Sequence, residues 1–121
     1  MNVVQTIPIL RIFDVVKAEK FYLDFLGFQI DWESGGTPNY LQISRESCVI
    51  HLSEHYGDCC PGSTVFVWVT GLTSYWRELT SKDFPYMRPG IEAKDFGANV
   101  MEVIDPFGNR LRFSEDTNKA K

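Results

Sequence analysis

The sequence predicts an α+β fold made of two copies of one βαβββ module. A similar pentapeptide occurs once in each half of the chain: residues 50–54 read Ile-His-Leu-Ser-Glu, and residues 111–115 read Leu-Arg-Phe-Ser-Glu. The predicted elements also follow the same order in both halves, namely one strand, one helix and three strands. Because a repeat of this kind marks a duplicated supersecondary unit, we predict modules over about residues 5–54 and 63–115.

The hydropathy pattern predicts each element of the first module. Residues 6–12 are apolar and branched and predict a strand, Asp14 can cap the following helix, and Gly27 can end it. Further strands are predicted over residues 28–32, 40–44 and 48–53, with turn-rich joints between them. The buried face of the helix is predicted from the i, i+3, i+4, i+7, i+8 spacing of Ala18, Phe21, Tyr22, Phe25 and Leu26.

The second module repeats this order with different residues. A strand is predicted over residues 64–69, followed by a break at Gly71 and further strands near Tyr86 and over residues 100–104 and 110–114. Residues 105–108, Asp-Pro-Phe-Gly, suit a tight type I turn between the last two strands. The predicted helical face consists of Leu72, Tyr75, Trp76 and Leu79.

Length and composition limit the domain count and the class of partner. A chain of 121 residues that is 44% hydrophobic can bury one core but hardly two, so residues 1–121 are expected to form a single domain. We expect a cytoplasmic protein, since no apolar run is long enough for a membrane span, no secretory signal is visible, and the three cysteines lack disulfide or zinc-site spacing. A formal charge of −4 argues weakly against nucleic acid and is compatible with a cationic ligand.

Four motifs occur together over nearly the whole chain. They are Pro-Ile-Leu-Arg-Ile-Phe-Asp at residues 8–14, Phe-Tyr at 21–22, Phe-Leu-Gly-Phe at 25–28 and Asp-Pro-Phe-Gly-Asn at 105–109. In this combination the chain resembles the glyoxalase/bleomycin-resistance group, the vicinal-oxygen-chelate superfamily. The resemblance implies paired βαβββ modules whose curled mixed sheets form a cleft, in a homodimer that exchanges its first strand. Fold alone does not fix function, because this fold carries unrelated chemistries.

The resemblance also implies where a metal would be held. Metal-dependent enzymes of the group take ligands from the first and last strands of each module, and the motifs carry these positions to Ile7, His51, Thr64 and Arg112. Only His51 is a good ligand, since Ile7 has no donor atom, the Thr64 hydroxyl is a poor one and Arg112 is a cation without a lone pair. A catalytic zinc normally takes three protein ligands. We therefore expect no metal and no other cofactor.

The match is closest to the metal-free, drug-sequestering members of the group. Residues 64–72, Thr-Val-Phe-Val-Trp-Val-Thr-Gly-Leu, look like the corresponding strand of those proteins, and alternation places Thr64, Phe66 and Trp68 on one face. The acidic residues Asp31, Glu33, Glu54, Asp58, Glu92 and Asp95 are candidates for a negative rim around a cationic ligand. The ligand-binding residues implied by the resemblance are Trp32, His51, Ser53, Phe66, Trp68, Phe96 and Arg112.

Several of these residues also have a plain structural interpretation. Phe66 and Trp68 suit a hydrophobic core, and His51 suits a hydrogen-bonded polar position. The function we expect is metal-independent binding and sequestration of a planar, cationic antibiotic of the bleomycin type, by a homodimer without enzymatic activity. The alternatives are a metal-dependent lyase, isomerase or dioxygenase of the same superfamily, with ligands such as His51 and Glu102, and a non-catalytic interaction module.

Overall fold

The computed structural model describes residues 1–85 and 87–117, and they form two compact units. Unit 1 contains Met1–Ser63 and Pro106–Asn109. Unit 2 contains the described residues of Thr64–Asp105 and of the chain from Arg110 onward. The prediction of a single domain over residues 1–121, like that of a cleft and an exchanged first strand, stays a prediction.

Unit 1 holds the first predicted module, and its order of one strand, one helix and three strands is confirmed. Its sheet has the strand order β1-β4-β3-β2, with β1 parallel to β4 and the other pairs antiparallel. Helix α1 continues directly into a π-helical segment. The elements are β1 (Ile9–Arg11), α1 (Val15–Glu19), the π-helical segment (Lys20–Phe25), β2 (Gln29–Glu33), β3 (Tyr40–Arg45) and β4 (Cys48–Ser53).

The local signals of the first module act as predicted. Asp14 caps α1 by accepting a hydrogen bond from the Lys17 amide at 3.1 Å, and Gly27 adopts the left-handed conformation that follows a helix. Strand β1 is shorter than expected because Pro8 has no N–H to donate, although its carbonyl accepts from the His51 amide at 3.0 Å. The whole predicted helical face is buried: Ala18, Phe21, Tyr22, Phe25 and Leu26.

Unit 2 repeats this arrangement. Its strand order is β5-β8-β7-β6, again with the first strand parallel to the last and the other pairs antiparallel. The strand expected near Tyr86 falls on a residue outside the described ones, and the strand before β7 is β6. The elements are β5 (Thr64–Trp68), α2 (Leu72–Ser81), β6 (Ile91–Lys94), β7 (Ala98–Ile104) and β8 (Arg110–Asp116).

Helix α2 is anchored at its N-terminus by a carboxylate from β8. Glu115 accepts hydrogen bonds from the amides of Gly71 at 3.0 Å and Leu72 at 3.2 Å, which satisfies two donors that a helix start leaves unpaired. Leu72 and Leu79 of the predicted face are buried. The other two members of that face, Tyr75 and Trp76, are half-buried.

The two copies of the repeated pentapeptide lie in equivalent places in the two units. Each copy lies on the last strand of its module, β4 or β8, and that strand lies between the first and the third strands of the same module. In both copies the apolar residues and the serine are buried, whereas His51 and Arg112 at the second position point to the opposite face. The repeat therefore places one polar side chain per module outside the core. Within the described residues, no helix is long and apolar enough to cross a membrane.

Candidate functional site

In unit 1, one cross-strand row carries His51 to the outward face of the sheet. The register aligns Ile9 on β1, His51 on β4, Gln42 on β3 and Trp32 on β2. The pairing of β2 with β3 is irregular between Ile30 and Trp32. A bulge of this kind redirects the following side chains, and here it lets neighbouring residues of β2 reach partners on one face of β3.

A chain of hydrogen bonds fixes the orientation of each polar group in this row. The ionised carboxylate of Asp31 can only accept hydrogen bonds. Gln42 Nε2 therefore donates to Asp31 Oδ2, at 3.0 Å, and this bond fixes which end of the Gln42 side-chain amide faces Asp31. Gln42 Oε1 then faces His51 Nε2 at 3.0 Å, and the imidazole must carry its proton on Nε2. In the neutral ring Nδ1 keeps a lone pair, and the Tyr40 hydroxyl donates to it at 2.7 Å. The Tyr40 oxygen therefore presents only lone pairs to its surroundings.

The same hydrogen bonds and burial shift the acidities of these groups. The hydrogen bonds from Gln42 and Ser44 lower the pKa of Asp31, which keeps it ionised. Burial lowers the pKa of His51, which favours the neutral ring that the hydrogen bonds require. Burial, with Asp58 and Cys59 nearby, raises the pKa of Tyr40. The cluster therefore presents hydrogen-bond acceptors to its surroundings.

Three rings of this cluster contact each other at the surface. Trp32 lies nearly parallel to Tyr40, with ring centroids 6.1 Å apart and planes at 11°. His51 meets both rings edge-on, at 5.3 Å from Trp32 and 5.2 Å from Tyr40. The side chain of Trp32 is 46% exposed. We call Trp32, Tyr40, Gln42 and His51 the histidine cluster.

Ser53 and the loop after β4 lie at the end of this cluster. Ser53 is fully buried, and its hydroxyl donates to Asp58 at 2.6 Å while accepting from the His55 amide at 3.0 Å. The His55 ring is 6.3 Å from Tyr40. Ser53 thus fixes the loop that carries the Asp58 carboxylate, and its predicted contact with a ligand stays a prediction.

In unit 2 the predicted aromatic residues lie on the outward face, not in the core. Phe66 is 45% exposed, Trp68 59% and Phe96 60%. The Phe66 ring is 4.9 Å from Trp68 and 6.3 Å from Phe96. The interpretation of Phe66 and Trp68 as core residues is therefore wrong, because Val65, Val67 and their neighbours on β8 occupy the inner face. We call Phe66, Trp68 and Phe96 the aromatic face of unit 2.

Arg112 lies beside this face in an ion-paired row. It is the register partner of Phe66 on β5 and of Glu102 on β7. Its Nε donates to Glu102 Oε1 at 2.8 Å, and Arg110 Nη1 donates to Glu102 Oε2 at 2.7 Å. These contacts, led by the bond from Arg112, lower the pKa of Glu102.

The donor atoms present do not fit a superfamily metal. Both ring nitrogens of His51 are already hydrogen-bonded, and both carboxylate oxygens of Glu102 accept from arginines. Ile7, Thr64 and Arg112 add no suitable ligand. No group of three or more His, Cys, Asp or Glu with metal-binding geometry occurs among residues 1–85 and 87–117.

The acidic residues proposed as a rim are mostly hydrogen-bonded within their own unit. Glu33 accepts a hydrogen bond from the side-chain amide of Asn39, and Glu54 accepts one from the backbone N–H of Asn39. Asp31 and Asp58 belong to the histidine cluster and its loop, and Glu92 pairs with Lys94 at 3.3 Å. The rim function stays a prediction, with Asp31 and Asp58 lying next to the histidine cluster.

Sequence reasoning missed two residues that decide the chemistry of unit 1. The sequence pattern predicts only strand positions for Tyr40 and Gln42, whereas the structure shows that they set the tautomer of His51. Their spacing of two placed them on one face of β3, and the pairing of β3 with β4 placed that face next to His51. The residue facing His51 could have been found once the register of these strands was known.

Comparison with known proteins supports the architecture. The family model described as glyoxalase superfamily protein matches residues 1–120. The bleomycin-binding protein of bleomycin-producing Streptomyces verticillus, solved with copper(II)-bleomycin, is similar at a TM-score of 0.72 and 23% identity over 93% of this chain and 96% of that chain. The bleomycin resistance determinant encoded on transposon Tn5 gives a TM-score of 0.75 and 20% identity over 94% of this chain and 98% of that chain.

A third similar structure is TnmS3, an antibiotic binding protein from Streptomyces sp. CB03234. It gives a TM-score of 0.73 and 16% identity, with 96% of this chain and 98% of that chain covered. No curated protein matches the sequence. At these identities the solved structures establish a shared fold.

Proposed function

This chain belongs to the glyoxalase superfamily, and from that premise we propose that it binds and sequesters a planar, cationic antibiotic of the bleomycin type without a metal. The observation that carries the proposal is the histidine cluster: a half-exposed Trp32 stacked on Tyr40, next to a hydroxyl oxygen that can only accept hydrogen bonds. Similar proteins with the same fold bind bleomycin or other antibiotics by name.

The chemistry of the histidine cluster matches a flat ring that carries hydrogen-bond donors. A planar heteroaromatic ring stacked on an exposed aromatic side chain gains about 1 to 3 kcal/mol, and a cation over Trp gains roughly 0.5 to 2 kcal/mol. The lone pairs of Tyr40 and the carboxylates of Asp31 and Asp58 favour N–H donors and positive charge. Two or three such contacts approach the roughly 8 kcal/mol of micromolar affinity.

The lack of an activated group in the histidine cluster favours binding over catalysis. Both ring nitrogens of His51 are hydrogen-bonded, to Gln42 and to Tyr40, and burial raises the pKa of Tyr40, so neither side chain is set to take a proton from a ligand near neutral pH. The remaining exposed aromatic residues are chemically inert. A face of this composition holds a ligand without changing it.

The first test is a titration of the protein with metal-free bleomycin, followed by calorimetry and tryptophan fluorescence. We expect quenching that saturates and that becomes weaker in Trp32→Phe and in Trp68→Phe. Trp76 provides an internal reference, because its indole N–H is bonded to the Pro89 carbonyl at 2.8 Å, and Trp76→Phe should leave the quenching intact. No heat and no quenching at tens of micromolar bleomycin would reject this class of ligand.

The second test uses alanine variants of the predicted contacts. Phe66→Ala and Phe96→Ala should each weaken binding by about 1 to 3 kcal/mol, the loss of one stacking surface. Tyr56→Ala is a matched control, since this residue is 96% exposed and belongs neither to the histidine cluster nor to the aromatic face of unit 2. His51→Gln should retain part of the affinity, because no metal depends on His51 and the stacking rings Trp32 and Tyr40 remain; binding by the wild type that is abolished by a chelator and restored by added metal would contradict a metal-free mode.

A further inference from the structure

On the outward face of unit 2, Arg110, Glu102 and Arg112 form a row of charged side chains beside the aromatic rings. One carboxylate, Glu102, lies between two guanidinium groups, so the three side chains together keep one net positive charge. The buried Leu111 and Phe113 alternate with Arg110 and Arg112 along β8, which directs both arginines outward. This row therefore offers a positive group beside the rings.

Arg112 is held in one orientation with donors left over. Its Nε is bonded to Glu102, whereas in the described part of the chain its two terminal Nη groups have no hydrogen-bond acceptor. The side chain is 46% exposed. Because the salt bridge already restrains the guanidinium, a ligand that bonds to the Nη groups loses less side-chain entropy than it would with a free arginine.

The strand next to Arg112 carries an aromatic surface. Phe66 is the register partner of Arg112 on the adjacent strand, about 4.8 Å away in the hydrogen-bonding direction. Phe66 contacts both Trp68 and Phe96, and all three rings are close to half exposed or more. Exposed aromatic groups of this size mark a binding surface.

We propose that Arg112, held by Glu102 and flanked by Phe66, is a carboxylate subsite for an aromatic ligand. The fork of the guanidinium matches the two oxygens of a carboxylate, and the rings next to it provide a stacking surface for the group that bears it. The inference rests on the proposed function and assigns unit 2 a different group of the ligand from unit 1: the histidine cluster suits the cationic group, and Arg112 suits a carboxylate on an aromatic ring. It depends only on residues of unit 2.

The test compares three small probes of the same shape: 2-naphthoate, the neutral 2-naphthamide and the cation 2-naphthylmethylammonium. Binding is followed by calorimetry and by the NMR signal of the Trp68 indole N–H. We expect 2-naphthoate to bind about tenfold more tightly than 2-naphthamide, and the cation to bind most weakly of the three. In Arg112→Gln the difference between the acid and the amide should disappear.

Arg77→Gln is the matched control, because it removes the same charge from an exposed position on α2. It should keep the preference for the carboxylate. Equal binding of acid and amide by the wild type, or the same preference in Arg112→Gln as in Arg77→Gln, overturns the subsite. The result is separate from the bleomycin titration: a protein that ignores bleomycin but prefers 2-naphthoate through Arg112 loses the proposed ligand class and keeps the subsite.

Discussion

Tyr40→Phe tests the hydrogen-bond chain that gives the histidine cluster its chemistry. The substitution removes only the hydroxyl that donates to His51 Nδ1 at 2.7 Å and keeps the ring that stacks on Trp32. A partly buried hydrogen bond of this type contributes about 0.5 to 1.5 kcal/mol to the free energy of unfolding. The unfolding entropy of 121 residues is roughly 250 cal/mol/K. A loss of about 1 kcal/mol therefore lowers Tm by about 4 °C.

The assay is thermal unfolding of the wild type, Tyr40→Phe and the control Tyr56→Phe. Tyr56 is 96% exposed and makes no hydrogen bond through its hydroxyl within the described residues. The free energy of unfolding of its variant should therefore lie within about 0.5 kcal/mol of the wild-type value. Nitrogen NMR gives a second reading. His51 should carry its proton on Nε2 in the wild type, and the Nδ1 signal should shift in Tyr40→Phe, because that nitrogen loses its hydrogen-bond donor.

Equal melting temperatures of the two variants, together with an Nδ1 signal that is unchanged by the loss of the Tyr40 hydroxyl, would refute this hydrogen-bond chain. A proton found on Nδ1 in the wild type would also refute it, since Tyr40 would then accept the bond. In that case the ligand would meet a donor instead of an acceptor at this position.

Three further predictions follow from the charges and the exposed surfaces. The free energy of unfolding should fall as the pH drops below about 6.5, because the pKa of His51 is lower in the folded chain and the unfolded chain takes up the proton first. Measured by urea unfolding, this free energy should depend less on pH in His51→Gln than in the wild type. An equal pH dependence in both proteins would contradict the prediction. Protein purified without added metal should contain substoichiometric zinc, nickel, iron and manganese, and one tightly held ion per chain by elemental analysis would count against the binding function. Light scattering should give about twice the chain mass of 13.9 kDa, since exposed apolar side chains such as Val3 and Ile9 favour a partner copy, and a monomer at micromolar concentration would refute the predicted homodimer.

The sequence was enough to predict the elements whose signal is local. The five apolar residues of the first helix are all buried because their spacing matches one helical face. Strand β6 was missed because Ile91–Lys94 contains two charged residues and few of the residue types that favour strands. Tyr86, where a strand was expected, lies outside the described residues.

The orientation of the site residues could be predicted only in part. Alternation placed Phe66 and Trp68 on one face of β5 but could not tell which face is the core, because both faces of that strand carry large apolar residues. The outward position of Trp32 depends on the irregular pairing between Ile30 and Trp32, which the local sequence pattern does not predict. The partners of His51 and Arg112 depend on strand register, which is a property of the assembled sheet.

Register also shows how the duplicated module came to present two different chemistries. In each unit the outward residue of the repeated pentapeptide pairs with a residue of the preceding strand: His51 with Gln42, and Arg112 with Glu102. The backbone relation is the same, but the first pair is neutral and the second is ionic. Since the amide of Gln42 fixes a neutral imidazole, unit 1 offers hydrogen-bond acceptors, whereas the carboxylate of Glu102 restrains a cation in unit 2. The chemistry of each face is therefore set by the cross-strand partner as much as by the repeated residue itself, and a variant such as Glu102→Gln should change the charge preference of unit 2 while leaving that of unit 1 as it is.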